Sequence, residues 1–132
     1  MILVDTSAWI EFDRATGSTT HLAVRQLIEG GGSELGVSEP ILMEVLAGVR
    51  DERDWARLRR LLSSFQWIPI DPAGDFEGAA KIYRECRAAG VTPRGLTDCL
   101  IAAIAIRTGS QLLAADRDFA DIARVVPLQL AS

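Results

Sequence analysis

Short apolar runs alternate with longer segments of helical periodicity along this chain. The runs at 2–4, 35–37, 67–70, 111–115 and 125–128 have the length and composition of buried strands. Between them, apolar residues recur at helical spacing, at 9–12, 21–28, 41–47, 51–65, 72–89, 96–107 and 117–123. Strands that alternate with helices indicate a parallel sheet with helices on both faces. We therefore expect one α/β domain over residues 1–132, a three-layer α/β/α sandwich around a central parallel sheet of four to five strands.

Four carboxylates interrupt elements that are otherwise apolar. Glu44 is the one charge in a helix that reads I-L-M-E-V-L-A, and Asp98 lies in the first turn of L-T-D-C-L-I-A-A-I-A-I. Asp5 and Asp116 each close an apolar strand, and the carboxyl ends of parallel strands share one edge of a sheet. A carboxylate in such surroundings is costly unless it is paired or bound to a cation. The pattern predicts that these acids converge.

Each acid also has a purely structural interpretation. Asp98 would favour the positive end of its helix, and Asp5 and Asp116 would suit turns. Glu44 would pair with an arginine, and Asp118 is either a further ligand or a helix cap. Five other acids lie at predicted helix starts or on polar faces, and we expect them to be caps or solvated charges: Glu39, Asp51, Asp71, Asp75 and Asp121.

A hard divalent cation would resolve the mutual repulsion of converging carboxylates. Mg²⁺ and Mn²⁺ prefer oxygen ligands. Two such ions about 4 Å apart can activate water and stabilise the leaving oxygen of a phosphodiester. The chemistry predicted from the residues is therefore metal-assisted phosphoryl transfer.

Composition narrows the class of protein. The chain is 48% hydrophobic and 24% charged, which is typical of a globular protein. Its formal charge of −4 argues against broad polyanion binding, although 13 of its 14 positive residues are arginine, the better phosphate ligand. One histidine, His21, excludes H-E-x-x-H zinc proteases, and we expect it at the surface. Cys86 and Cys99 are expected to be buried reduced thiols.

Targeting signals are not evident in the sequence. No apolar run approaches the roughly 18 residues that span a bilayer, so no membrane association is expected. Asp5 arrives too early for a secretory signal, and the default expectation is a cytoplasmic protein.

Four sequence motifs together carry a family resemblance. They are V-D-T-S-A-W at the start, E-P-I-L-M-E-V-L-A-G in the middle, L-T-D-C-L-I-A-A-I-A near residue 98, and A-D-R-D-F towards the end. In their order, spacing and total length they resemble the PIN-domain ribonucleases, most closely the VapC-type toxins of bacterial toxin–antitoxin pairs. The resemblance covers nearly the whole chain, as a single PIN domain.

The resemblance implies a metal-dependent endoribonuclease whose four catalytic acids are Asp5, Glu44, Asp98 and Asp116. Asp5 and Asp98 would hold the principal Mg²⁺ or Mn²⁺, one ion or two, and Glu44, Asp116 and Asp118 would complete the site directly or through water. Metal-activated water would attack the phosphorus in line and leave a 5′-phosphate and a 3′-hydroxyl. Thr6 would be an accessory hydroxyl that orients the Asp5 carboxylate, or it or Ser7 would cap the first helix.

The resemblance also implies partners. These are an RNA substrate (transfer or ribosomal RNA), a VapB-type antitoxin, and a second copy of the chain in a homodimer or larger toxin–antitoxin assembly. Arg94 and Arg117 lie next to the acids in sequence and would hold RNA phosphates or else pair with the carboxylates. The arginine-rich segment 51–65 and the segment 72–89 are candidate partner surfaces.

Two other functions start from the same residues. A receiver domain or haloacid-dehalogenase-type phosphatase also places an aspartate after its first strand, but both need a late lysine, and the only lysine here is Lys81. The phosphatase further needs D-x-D-x-T where this chain has D-T-S-A-W. The second alternative is a non-catalytic PIN-like module that binds RNA or protein.

Overall fold

The computed structural model describes residues 1–131 and has the expected α/β architecture. The strands are β1 (Ile2–Val4), β2 (Leu35–Val37), β3 (Gln66–Trp67) and β4 (Gln111–Leu113). The helices are α1 (Thr6–Asp13), α2 (Thr19–Glu29), α3 (Glu39–Ala47), α4 (Glu52–Ser63), α5 (Pro72–Ala88), α6 (Leu96–Thr108) and α7 (Asp118–Ala123).

The four strands form one parallel sheet in the order β3-β2-β1-β4. In β1, the consecutive residues Leu3 and Val4 are both fully buried. Since successive side chains of a strand point to opposite faces, both faces of the sheet are covered by helices. This confirms the predicted α/β class with a four-stranded parallel sheet.

The strand order reverses at β1. The chain first adds β2 and β3 on one side of β1 and then crosses to add β4 on the other. Ligand sites of open α/β sheets lie where the strand order reverses in this way. The backbone N–H of Asp5 donates to the carbonyl of Leu113 at 2.9 Å, so the ends of β1 and β4 meet at this point.

The predicted strand 125–128 is wrong. The segment from Val125 to Gln129 carries no strand, and the only pairing near it is an isolated parallel bridge between Leu130 and Leu112. Val126 and Leu128 are buried, so their apolar character reflects burial in the core and not strand pairing. β3 is also shorter than the predicted 67–70, although the N–H of Ile68 still donates to the Val37 carbonyl.

Two expectations of surface exposure are wrong for a shared reason. His21 is buried, because its Nδ1 accepts a hydrogen bond from Gly17 N–H and its ring packs edge-on against Phe12. Asp75 is 2% exposed and forms a two-pronged pair with Arg107, at 2.8 and 2.9 Å. Both polar groups are satisfied by partners that local sequence does not reveal.

Other features agree with expectation. Cys86 and Cys99 are free and buried, and burial raises the pKa of the Cys99 thiol to about 11, which leaves it unreactive. Within residues 1–131, no helix combines the length and apolarity required to cross a bilayer.

Candidate metal and catalytic site

Asp5 begins the site at the junction of β1 and α1. It is the N-cap of α1, and its Oδ2 accepts hydrogen bonds from the Ser7 N–H at 2.9 Å and the Ser7 hydroxyl at 2.7 Å. Its other oxygen, Oδ1, is buried and accepts no hydrogen bond from residues 1–131. Burial raises the pKa of Asp5 above its usual 3.8, against the opposing hydrogen bonds from Ser7.

The predictions for the two hydroxyls that follow Asp5 need correction. Neither Thr6 nor Ser7 caps α1, because Asp5 does so itself. It is Ser7, and not Thr6, that orients the Asp5 carboxylate. The Ser7 oxygen also accepts from the backbone N–H groups of Ala115 and Asp116, at 2.9 and 3.3 Å. Ser7 thus joins the β1–α1 turn to the loop after β4, a role that sequence reasoning missed.

Thr6 instead holds Glu44. The Thr6 hydroxyl donates to Glu44 Oε1 at 2.9 Å, across 38 residues of sequence. Glu44 lies on α3 and is only partly buried. Within residues 1–131 it forms no ion pair with an arginine, so the alternative that Glu44 pairs with arginine is wrong. One carboxylate oxygen is fixed by Thr6, and the other is left for a ligand or a proton.

The pKa of Asp98 is raised by all four of the other acids. Asp98 lies in the first turn of α6 and is partly buried. Its pKa is raised from 3.8 to about 7, chiefly by burial and then by the neighbouring carboxylates: Asp5, Asp116, Glu44 and Asp118. The position at a helix N-terminus, which would lower the pKa, is outweighed. The other four predicted acids therefore lie close enough to Asp98 to raise its pKa.

Asp116 and Asp118 join the cluster from the segment that follows β4. Asp116 Oδ1 accepts from the Asp118 N–H at 2.9 Å, as in a tight turn at the start of α7. Arg94 Nε lies 3.1 Å from Asp118 Oδ2, and Arg94 Nη1 lies 4.0 Å from Asp116 Oδ2. Asp118 Oδ2 is buried and lacks an aligned hydrogen bond despite the arginine. Arg94 was expected either to hold RNA phosphates or to pair with the carboxylates, and in the structure it pairs with the carboxylates. Arg117 is exposed and forms no ion pair within residues 1–131.

The donor set fits a hard divalent cation. One carboxylate oxygen from each of Asp98, Asp116 and Asp118 lies within 4.8 Å of the others. The buried, unpartnered Oδ1 of Asp5 supplies an independent sign that a cation belongs nearby, because such an oxygen is costly to leave bare. Asp5 and Glu44 lie outside the tightest group, so the prediction that Asp5 and Asp98 are the principal ligands stays a prediction.

The sequence has clear relatives. A family model, the PIN domain, matches residues 2–125. The chain is 47% identical over 132 residues to ribonuclease VapC11 of Mycobacterium tuberculosis, covering 100% of this chain and 98% of that protein.

Solved structures share the fold. VapBC2 of Rickettsia felis, bound to a DNA fragment from its promoter, superposes with a TM-score of 0.77 at 20% identity, covering 99% of this chain and 98% of that one. A toxin–antitoxin complex from Klebsiella pneumoniae superposes with a TM-score of 0.69 at 25% identity, covering 98% of this chain and 100% of that one.

Proposed function

The chain belongs to the PIN-domain family, in the group of VapC ribonuclease toxins, and on that premise we propose that its acidic edge cleaves RNA with the help of Mg²⁺ or Mn²⁺. The observation that carries the proposal is the convergence of five carboxylates, two of which, Asp5 and Asp118, have a buried oxygen that accepts no hydrogen bond within residues 1–131. Neutral or paired side chains would build a more stable edge, so the excess negative charge calls for a bound cation.

We propose a role for each acid from its place in the cluster and, for Asp5 and Glu44, from the oxygen that its hydrogen bonds leave free. Asp5 Oδ1 and the oxygens of Asp98 are the proposed principal ligands, with Asp116 and Asp118 as direct or water-mediated ligands. Glu44 is free at Oε2 because Thr6 holds only Oε1, and we assign Oε2 to accept a proton from the attacking water. Thr6 and Ser7 are accessory residues that keep the two carboxylates in place.

A bound ion supplies the electrostatic part of the chemistry, by lowering the pKa of water and neutralising charge on the phosphate. One ion or two would serve, and the expected products carry a 5′-phosphate and a 3′-hydroxyl. RNA phosphates would approach over Arg117, which is exposed, lies between Asp116 and Asp118 in the sequence and forms no ion pair within residues 1–131.

Partners follow from the group to which the chain belongs. Structural relatives of this fold are toxin–antitoxin complexes. We propose a VapB-type antitoxin that blocks the acidic edge, and a cytoplasmic setting where structured RNA, transfer or ribosomal, is the substrate. α4 carries several arginines on an exposed face, which suits an acidic antitoxin segment or RNA.

We further propose that the chain forms a homodimer through the apolar groove between α3, α5 and α6. The groove has a volume of about 580 Å³ and includes Met43, Phe76 and Leu96, whose exposures of 58%, 57% and 61% are high for large apolar side chains. Phe76→Glu and Leu96→Glu should yield monomers in light scattering, whereas the control Leu22→Glu on α2 should leave the dimer intact. Unchanged dimers in both groove variants would remove this surface.

The central experiment measures cleavage by protein freed of antitoxin. Structured RNA should be cut in Mg²⁺ or Mn²⁺ and spared in EDTA, and Asp5→Asn or Asp98→Asn should abolish cutting while circular dichroism stays unchanged. Asp121→Asn is the matched control, since that carboxylate is exposed and, within residues 1–131, its ion-pair partner is Arg124, the C-cap of α7. Full cleavage by both site variants would refute the site. RNA binding by the wild type without cleavage would favour the non-catalytic alternative.

A further inference from the structure

Arg94 contacts the acidic edge from a separate loop. It lies between the buried Pro93 and Gly95, the N-cap of α6, and its side chain is 77% exposed. Within residues 1–131 its ion-pair partners are Asp116 and Asp118, the acids that follow β4. A well-exposed arginine that turns back to two carboxylates adds positive charge to an edge otherwise built of acids.

The oxygens that face Arg94 are those that remain for a cation. Asp116 Oδ1 is taken by the N–H of Asp118, which leaves Oδ2, the atom nearest Arg94 Nη1. Asp118 Oδ2 is buried and accepts no aligned hydrogen bond, yet Arg94 Nε lies 3.1 Å from it. The guanidinium therefore offsets the charge of both oxygens but gives Asp118 Oδ2 no aligned hydrogen bond, and a divalent ion held by Asp116 and Asp118 would draw on the same two atoms.

We propose that Arg94 is an intramolecular counter-ion, which competes with the divalent cation for Asp116 and Asp118 and so weakens its binding. This inference rests on the proposed metal site. A guanidinium and a divalent ion repel each other at the distances involved, so binding of the ion must displace the arginine from its oxygens. The side chain of Arg94 is 77% exposed, so it can move into solvent by a change of rotamer alone.

The sign of the effect separates this role from a structural one. If Arg94 merely positioned the two acids, its removal would loosen the ligands and weaken metal binding. If Arg94 competes, its removal frees the ligands and strengthens metal binding. Exposed ion pairs are weak, so loss of the two contacts should tighten Mn²⁺ binding by roughly three- to tenfold.

The test is a Mn²⁺ titration of the antitoxin-free protein, read by calorimetry or by the electron paramagnetic resonance of free Mn²⁺. Arg94→Gln should bind Mn²⁺ about three- to tenfold more tightly than the wild type, and the gain should shrink as salt rises. Arg94→Lys keeps the charge and should stay within about twofold of the wild type. Arg117→Gln removes an equal charge from an exposed neighbour without these contacts and should change affinity less than Arg94→Gln.

The outcomes separate this inference from the proposed function. Wild-type binding with equal or weaker affinity in Arg94→Gln would overturn the counter-ion role and leave the metal site standing. Equal tightening in Arg94→Gln and Arg117→Gln would also overturn it, because a general charge effect would suffice. Absence of Mn²⁺ binding in every variant would overturn the metal site and this inference together. Thermal melts in EDTA check that each variant is folded.

Discussion

Replacement of Asp98 by asparagine should make the metal-free protein more stable at neutral pH. The pKa of Asp98 is raised to about 7 from 3.8, first by burial and then by the surrounding carboxylates, led by Asp5. When the pKa of a carboxyl group is higher in the folded than in the unfolded state, the folded protein binds the proton more tightly, and protonation stabilises the fold. The contribution of protonated Asp98 to the free energy of unfolding is fully present below pH 3.8 and is lost as pH rises towards 7. Asparagine never ionises, so the variant avoids that loss.

The size of the effect follows from the difference between the two pKa values. A rise of about three units corresponds to roughly 4 kcal/mol of unfolding free energy at pH 8. Asp98 is only partly buried, and solvent screening reduces the figure, so we expect about 2 kcal/mol. For a chain of this length, that corresponds to an increase of roughly 5–8 °C in the melting temperature.

Urea and thermal unfolding in EDTA at pH 5 and pH 8 measure this quantity. Asp98→Asn should be more stable than the wild type at pH 8, and the advantage should be less than half as large at pH 5. Asp121→Asn, at an exposed carboxylate, should show no such dependence. Added Mn²⁺ should reverse the order, because it stabilises the wild type by mass action.

Two results would refute this reasoning. One is an Asp98→Asn variant no more stable than the wild type at pH 8, which would mean that the ionised Asp98 is not destabilised by burial and the neighbouring carboxylates. The other is an equal advantage at both pH values, which would place the gain in packing or helix capping instead of in ionisation.

Three further substitutions test the contacts around the site. Ser7→Ala removes one donated and two accepted hydrogen bonds, and should lower the free energy of unfolding by about 1–3 kcal/mol in urea. Thr6→Val frees Glu44 Oε1 and should slow RNA cleavage by about tenfold with little change in the urea midpoint, whereas Thr6→Ser should retain the rate. Asp75→Asn leaves Arg107 without its charge partner and should destabilise the fold by about 2 kcal/mol, discounted for the partial exposure of Arg107, with cleavage unchanged.

Each of these has a contrary outcome. Wild-type stability in Ser7→Ala would mean that water replaces its hydrogen bonds. An unaltered rate in Thr6→Val would mean that Glu44 does not depend on Thr6. Loss of cleavage in folded Asp75→Asn would extend the site beyond the carboxyl edge of the sheet.

The strands and the acids could be predicted from the sequence because each stands out against its neighbours. Apolar runs of three residues gave β1 and β2 at their observed bounds. Glu44 and Asp98 were conspicuous because a charge breaks a helix that is otherwise apolar. Such contrasts are local, and a reader of the sequence can see them without knowing what lies across the fold.

The contacts between elements could not be predicted from the local sequence pattern. Thr6 and Ser7 are adjacent hydroxyls, and only the phase of α1 decides that Ser7 meets Asp5 while Thr6 meets Glu44. Asp75 looked like a first-turn acid, but its partner Arg107 lies 32 residues later, on α6. The segment 125–128 has the composition of a strand yet packs without pairing, because β composition reports burial as much as hydrogen bonding.

Asp5 shows how capping and the candidate chemistry depend on the same side chain. Ser7 N–H and the Ser7 hydroxyl both bind Oδ2, so the helix cap fixes the carboxylate and leaves Oδ1 as the bare oxygen. Asparagine caps helices about as well as aspartate, with its carbonyl in place of Oδ2, but it brings an amide where a cation would need a charge. Alanine would remove the cap and the ligand together, at a cost of about 1 kcal/mol in helix stability. Asp5→Asn therefore isolates the charge of Oδ1, and Asp5→Ala does not. A folded Asp5→Asn variant that no longer gains stability from Mn²⁺ would assign that oxygen to the metal, and one that gains as much as the wild type would exclude it.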